Sequence, residues 1–209
     1  MTPTTAVLLA AGAGTRLGRG PKALLPFRGG TLVEHAAQAL RDGGCTETVV
    51  VAGAGADQVA ALQSGHPDTA LAAARVVVND DWALGMGGSF RLGVAAAGTG
   101  HDVLVSLVDQ PGVTAELVAR LLAAHRPGRI TAAGYAPPLR GSSSPGPKRG
   151  HPIIFSASLA AAAAASSTGD AGARLFLAAH PELIDVVNCS DLADGADVDT
   201  PQDLHLLKG

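Results

Sequence analysis

The chain has 209 residues, 47% hydrophobic and 16% charged, which is ample for one globular domain with a buried core and far from the composition of a disordered chain. Its net charge of −3 gives no electrostatic footprint for a nucleic-acid polymer, and no run approaches the roughly 18 apolar residues of a membrane span. Residues 1–5 lack the basic start of a signal peptide, so the expected location is the cytoplasm. Cys45 and Cys189 alone make neither a disulfide framework nor a metal quartet.

Short apolar runs alternate with helix-length Ala/Leu segments, the pattern of βα units around a mainly parallel sheet. The first strand, 6–9, runs into a glycine-rich segment. The first helix opens at Thr31-Leu32-Val33-Glu34, where the Thr hydroxyl and the Glu three residues on can each satisfy a free helix-end donor, and Gly43-Gly44 stops it. Further strands are predicted at 48–52, 75–78, 102–108, 130–134, 151–155 and 183–187. Helices are predicted at 56–64, 88–97, 115–125, 158–166, 171–180 and 201–207, the last entered through Thr200-Pro201. Segment 136–150, dense in Pro, Gly and Ser, reads as a mobile surface loop, either a lid or a tolerated insertion. No repeat or second domain interrupts the pattern, so residues 1–209 read as a single domain.

The segment after the first strand, Leu8-Leu9-Ala10-Ala11-Gly12-Ala13-Gly14-Thr15-Arg16-Leu17-Gly18, continues to Pro21-Lys22. Its glycines let backbone amides approach and face an anion. Arg16 supplies a planar fork for phosphate oxygens and Lys22 a compact charge. Lysine is rare in this chain, three against twelve arginines, so a lysine here favours a specific task. The spacing Gly12-x-Gly14-x-x-x-Gly18 is one residue longer than the dinucleotide fingerprint, and the second strand ends in Val51-Ala52-Gly53 without a ribose-binding acid, which counts against NAD. No Gly-Lys-Ser/Thr follows, which excludes a P-loop.

With these residues the chain resembles nucleotidyltransferases carrying G-x-G-[ST]-R-[LM]-G…K, and within them the MobA/MocA-like branch that includes molybdenum-cofactor cytidylyltransferase. Later landmarks follow in order: Asn79-Asp80-Asp81-Trp82-Ala83-Leu84-Gly85-Met86-Gly87-Gly88-Ser89, Val108-Asp109-Gln110-Pro111, Gly150-His151-Pro152, Gly169-Asp170-Ala171-Gly172-Ala173-Arg174 and Asp197-Val198-Asp199-Thr200-Pro201. The resemblance implies a Rossmann-like three-layer α/β/α fold with a mixed, mainly parallel sheet, of the nucleotide-diphospho-sugar transferase type. It also implies Mg²⁺-dependent transfer of CMP from CTP to the phosphate of a molybdopterin-type acceptor, releasing pyrophosphate, and leaves room for a molybdoenzyme or its maturation factor as a partner.

Asp109 follows a very apolar strand, at the sheet edge where open α/β sheets bind ligands. The resemblance makes it a magnesium ligand, although the residue also suits a helix cap before Pro111. Asp199 is the second ligand implied by the likeness, with helix capping as its plain alternative. Leu9, Ala10, Ala11, Gly12, Gly14 and Thr15, with Arg16 and Lys22, form the expected nucleotide cradle. Gly85, Gly87 and Ser89 are expected beside base and ribose, Ser89 as a donor. Related sequences often read G-M-G-S-S, so Gly88 lacks one hydroxyl. Trp82 reads as packing. Leu-Ala-Ala-Gly at the loop entrance accompanies cytosine in the resemblance and Leu-Ala-Gly-Gly guanine; the Ala11 methyl would fill space a two-ring base needs. His151 and Arg174 are candidates for the acceptor, against an ordinary partly buried histidine and an Asp170–Arg174 pair one helical turn apart. No Ser/His/Asp or Cys/His nucleophile arrangement stands out, and an acceptor phosphate, already anionic, needs alignment and positive charge more than a general base. Another nucleoside triphosphate, or a sugar or polyol phosphate acceptor, stays open within this chemistry. A non-catalytic nucleotide-binding accessory protein for metalloenzyme maturation is the alternative of another class, and a dehydrogenase is a third.

Overall fold

The computed structural model describes residues 2–136 and 146–208. In chain order the regular elements are β1 (Thr4–Ala10), β2 (Pro26–Phe27), β3 (Gly30–Thr31), α1 (Leu32–Asp42), β4 (Glu47–Ala52), α2 (Ala56–Gly65), α3 (Ala70–Ala73), β5 (Arg75–Val78), α4 (Met86–Ala97), β6 (Asp102–Leu107), α5 (Ala115–Ala124), β7 (Ile130–Tyr135), β8 (Lys148–Phe155), α6 (Ala157–Ser166), α7 (Arg174–Ala179) and β9 (Ile184–Asn188). Seven strands form one sheet in the order β5-β4-β1-β6-β8-β7-β9, and β2 and β3 form a small hairpin apart from it. Only β8 runs against its neighbours β6 and β7, so the sheet is mixed and mainly parallel.

Strand periodicity sorts side chains onto two cores. From β1, Ala6, Leu8 and Ala10 join α1, α5 and Val59 of α2 on one face, while Val7 and Leu9 join Phe90 of α4, α6 and Leu177 of α7 on the other. Helices therefore cover both faces of a Rossmann-like three-layer α/β/α fold. At α1 the Thr31 N–H donates to Glu34 Oε2 at 2.9 Å, the reciprocal cap that the sequence announces. On the other face, Gly93 lets α4 lie against β1 and β4, because a Cβ there would collide with Val7. That close seat aims the first turn of α4 at the C-terminal edge of β1.

Several expectations are corrected. The strand expected at 151–155 begins at Lys148, inside the segment expected to be a loop, because Lys148 and Arg149 pair with Tyr135 and Gly134. Residues 137–145 of that loop lie outside the described residues. The helix expected at 171–180 is a 3₁₀ turn, Gly169–Ala171, then the short α7; Gly172 at φ 49° separates them. The last helix, Pro201–Leu207, is 3₁₀. No helix among the described residues is long and apolar enough to cross a membrane.

Candidate active site

The glycine-rich loop leaves β1 at the C-terminal edge of the sheet. Gly14, at φ 64°, accepts the N–H groups of both Leu17 and Gly18 at 3.1 Å, closing a tight turn. A side chain on Gly14 would strike the Gly20 carbonyl and lie 3.3 Å from Lys22 Cγ, so this glycine lets the lysine stem cross beneath the loop. Lys22 starts a 3₁₀ turn, Lys22–Leu24, and reaches over the sheet edge to β6.

There its ammonium donates to Asp109 Oδ2 at 2.7 Å and also to Asp199 Oδ1. Asp199 Oδ2 accepts from the Arg16 guanidinium at 3.0 Å. Three distant parts of the chain thus meet at one point. The C-terminal segment is fastened in place by the Val198 N–H, which donates to the Asp109 carbonyl at 2.8 Å. Asp203, not Asp199, caps the final turn: its Oδ2 accepts from Thr200 N–H at 2.7 Å and Asp199 N–H at 3.1 Å. That leaves the Asp199 carboxylate free for the two cations. Asp109 likewise makes no cap bond among the described residues; Oδ1 is buried without a partner and Oδ2 holds Lys22.

Burial alone would lower the Lys22 pKa, but Asp109 and Asp199 outweigh it and hold it above the ordinary value. Asp199 is held below the usual carboxylate range, first by the hydrogen bond from Lys22. Asp197 is pushed up by burial and by the neighbouring Asp109 charge, even though Gln110 Nε2 donates to its Oδ1 at 2.7 Å.

These groups open on a cavity of about 620 Å³. Of the predicted residues, Leu9, Ala11, Gly12, Thr15, Arg16, Lys22, Gly85, Ser89, Asp109 and Asp199 line it. Ala10 lies buried in β1, Gly14 under the loop, and Gly87 against the Gly169 carbonyl, 2.8 Å from where its Cβ would be; these three shape the wall from behind. Gly88 faces Asn79, so its missing hydroxyl takes nothing from the cavity.

His151 and Arg174 do not line the cavity. His151 sits on β8 with its carbonyl accepting from Tyr135 Oη at 2.7 Å; burial and then Arg149 hold its imidazole down at about 4. Arg174 is exposed at the start of α7, and among the described residues it has no ion pair with Asp170, because the break at Gly172 removes the helical turn that would align them. Trp82 does line the cavity, while also closing over Gly53.

The sequence reading passed over Asp197 and took Asp170 only as a partner for Arg174, yet both carboxylates line the cavity. Asp197 was findable, since residues two apart in an extended segment share a face with Asp199. Asp170 was not, because its position depends on the 3₁₀ turn packing over Gly85.

The lining carries four carboxylates, Asp109, Asp170, Asp197 and Asp199, against two cations, Arg16 and Lys22. A polyphosphate would meet net negative charge there. Among the described residues no three acidic, histidine or cysteine side chains converge on one point, so a divalent cation would rest on the pair Asp109 and Asp199, one of whose oxygens is buried and unpartnered.

A profile of the MobA-like NTP transferase domain matches residues 6–183. Nicotine blue oxidoreductase of Paenarthrobacter nicotinovorans is 52% identical over 206 residues, covering 97% of this chain and 95% of the relative. Rv0371c of Mycobacterium tuberculosis H37Rv superposes with a TM-score of 0.79 at 28% identity, covering 100% of this chain and 98% of that one. The same protein is known in a complex with manganese. A nucleotidyl transferase from Methanothermobacter thermautotroptrophicus superposes with a TM-score of 0.75 at 25% identity, over 99% of this chain and 98% of that one. The chain therefore belongs to the MobA-like NTP transferase family, and its domain is that of a nucleotidyltransferase.

Proposed function

We propose that this protein transfers the nucleotidyl group of a nucleoside triphosphate, CTP by preference, to the phosphate of a small acceptor, with Mg²⁺ held by Asp109 and Asp199. The observation that carries the reading is the meeting of Lys22, Asp109 and Asp199 under the glycine-rich loop. The amides of Gly12 to Arg16 face the triphosphate, Arg16 grips its outer oxygens, and Lys22 turns from the carboxylates to the phosphates. An ion held by Asp109 and Asp199 would supply positive charge for the α-phosphate and the departing pyrophosphate. The acceptor phosphate brings its own negative charge, so no residue needs to take a proton from it. The site works inside one domain comprising the whole chain: the C-terminal segment beyond the family match contributes Asp197 and Asp199.

Preference for cytosine rests on the Ala11 methyl, which lines the cavity with its backbone tied to Ala54 by a 3.0 Å hydrogen bond. A molybdopterin-type phosphate is the favoured acceptor by family, and a sugar or polyol phosphate is the next to try. The test is pyrophosphate release from each of the four nucleoside triphosphates with Mg²⁺ or Mn²⁺, with and without each acceptor. Release from none of them, under conditions where the protein is folded, sinks the proposal. Asp109→Ala separates an enzyme, which loses turnover, from a nucleotide-binding accessory protein, which keeps its biological effect.

The relative that is 52% identical over nearly its whole length favours one second reading, because its name is that of an oxidoreductase. Under it, the loop would seat the pyrophosphate of a redox dinucleotide, and the cavity would carry electron transfer. The loop spacing and the missing ribose-binding acid after β4 weigh against it. Mixing the protein with NADH or NADPH and nicotine blue, and following oxidation of the nicotinamide, decides between the two.

A further inference from the structure

Ser89 reaches the cavity wall from α4 yet is only 3% exposed, and the group behind it is Asn79, 8% exposed, at the end of β5. Asn79 Nδ2 donates to Ser89 Oγ at 2.9 Å. The amide cannot be turned the other way. Asn79 Oδ1 accepts the N–H of Asp81 at 3.2 Å, and a backbone N–H only donates, so the oxygen must face Asp81 and the nitrogen must face Ser89. The Asn79 backbone is itself tied to β4, its N–H donating to the Ala52 carbonyl at 2.8 Å.

A serine hydroxyl has one proton to donate and two lone pairs with which to accept, so an unoriented one can meet a ligand in either role. Here it accepts from Asn79, and among the described residues nothing takes its proton, not even the carbonyl one helical turn back that serines in helices commonly use. Ser89 lines the cavity, where a ligand can take that proton. We propose that Asn79 is a positioning residue that makes Ser89 a dedicated donor, so that the subsite demands a hydrogen-bond acceptor on the base, such as the O2 carbonyl of a pyrimidine. This rests on the reading of the cavity as a nucleoside triphosphate site.

The test reverses the polarity of the bond and leaves its shape. In Asn79→Asp the carboxylate still accepts from the Asp81 N–H, but its other oxygen can only accept from Ser89, drawing the proton out of the cavity. Titrations of CTP and of inorganic tripolyphosphate, both with Mg²⁺, report base and phosphate contacts separately. The expected result is a Kd for CTP raised about tenfold in Asn79→Asp, with tripolyphosphate binding within about twofold of wild type. Ser89→Ala should weaken CTP alike, and Asn79→Asp added to Ser89→Ala should cost nothing more, since both act through one hydroxyl. A merely structural role for Asn79 predicts parallel loss of both ligands, and that result overturns the inference, as does unchanged CTP binding in Asn79→Asp. Wild type binding tripolyphosphate but gaining nothing from a base overturns the inference and leaves the phosphate cradle standing. Wild type binding neither ligand overturns the nucleotide reading with it.

Discussion

Lys22→Met removes the ammonium that bridges Asp109 and Asp199 and keeps the stem that passes beneath Gly14, so it isolates charge from packing. Two opposite effects are expected. On the proposed reading a divalent ion bridging Asp109 and Asp199 takes the place of the ammonium that now bridges them. Hydrogen bonds between charged groups are worth about 1.5–3 kcal/mol each, so the gross cost is roughly 3–6 kcal/mol. The released ammonium regains water and phosphate-free solvent screens Asp199, whose side chain is 33% exposed, which reduces the net to about 1–2 kcal/mol. At about 1.4 kcal/mol per decade, Lys22→Met should bind Mn²⁺ about 5–30 times more tightly than wild type in the absence of nucleotide. Nucleotidyl transfer should fall by a factor on the order of 10² or more, because the same charge is then missing from the triphosphate. Because the carboxylates hold the Lys22 pKa above its ordinary value, the difference in Mn²⁺ affinity should persist throughout the neutral pH range. Isothermal titration of the free protein with Mn²⁺ reads the first effect directly. Equal or weaker Mn²⁺ binding in the variant would refute the competition between ammonium and metal.

Ala11→Gly should raise GTP turnover relative to CTP by about 10–200-fold in kcat/KM, the range for one carbon in an apolar pocket, and an unchanged ratio removes Ala11 from specificity. Gly85→Ala adds a Cβ at φ 113°, 2.5 Å from Asp170 Oδ1 and 2.7 Å from the Gly169 carbonyl; a loss of about 1–3 kcal/mol, seen as a melting temperature lower by roughly 3–10 °C, is expected. His151 is held at about 4 when folded, against an ordinary value of about 6.5, so the unfolded chain binds more protons between those values and stability drops as pH falls through that window. His151 keeps some accessible surface, which cuts the contribution to about 1–3 kcal/mol; denaturant titrations should show a flatter dependence between pH 7 and 4 in His151→Asn, and an identical slope would dismiss the histidine as the cause.

What the sequence makes legible is whatever local chemistry decides. The cap at Thr31 and Glu34, the apolar strand before Asp109 and the glycine-rich turn after β1 each announce themselves locally, whereas the passage of the Lys22 stem beneath Gly14 is visible only in the fold. Lys148 and Arg149 do not, because pairing with β7 overrides the turn-rich composition around them. Gly172 looked compatible with a helix from 171, yet its positive φ ends one turn and starts another. Asn79 and Asp170 carry no local signature for their positions. Asn79 is placed by its backbone bond to Ala52 of β4, and Asp170 by the 3₁₀ turn that packs over Gly85, contacts made with residues distant in sequence.

The Val198 N–H bond to the Asp109 carbonyl joins almost the last part of the chain to its middle. During synthesis the glycine-rich loop and every strand up to β9 precede Asp199, so the cluster of Lys22, Asp109 and Asp199 is the last part of the cavity wall to assemble. On the proposed reading, ion binding at Asp109 and Asp199 would come only after the sheet has formed. A product clipped before Asp197 would keep the strands of the sheet and lose both Asp197 and Asp199 from the cavity wall, so the proposed transfer depends on the segment that follows β9.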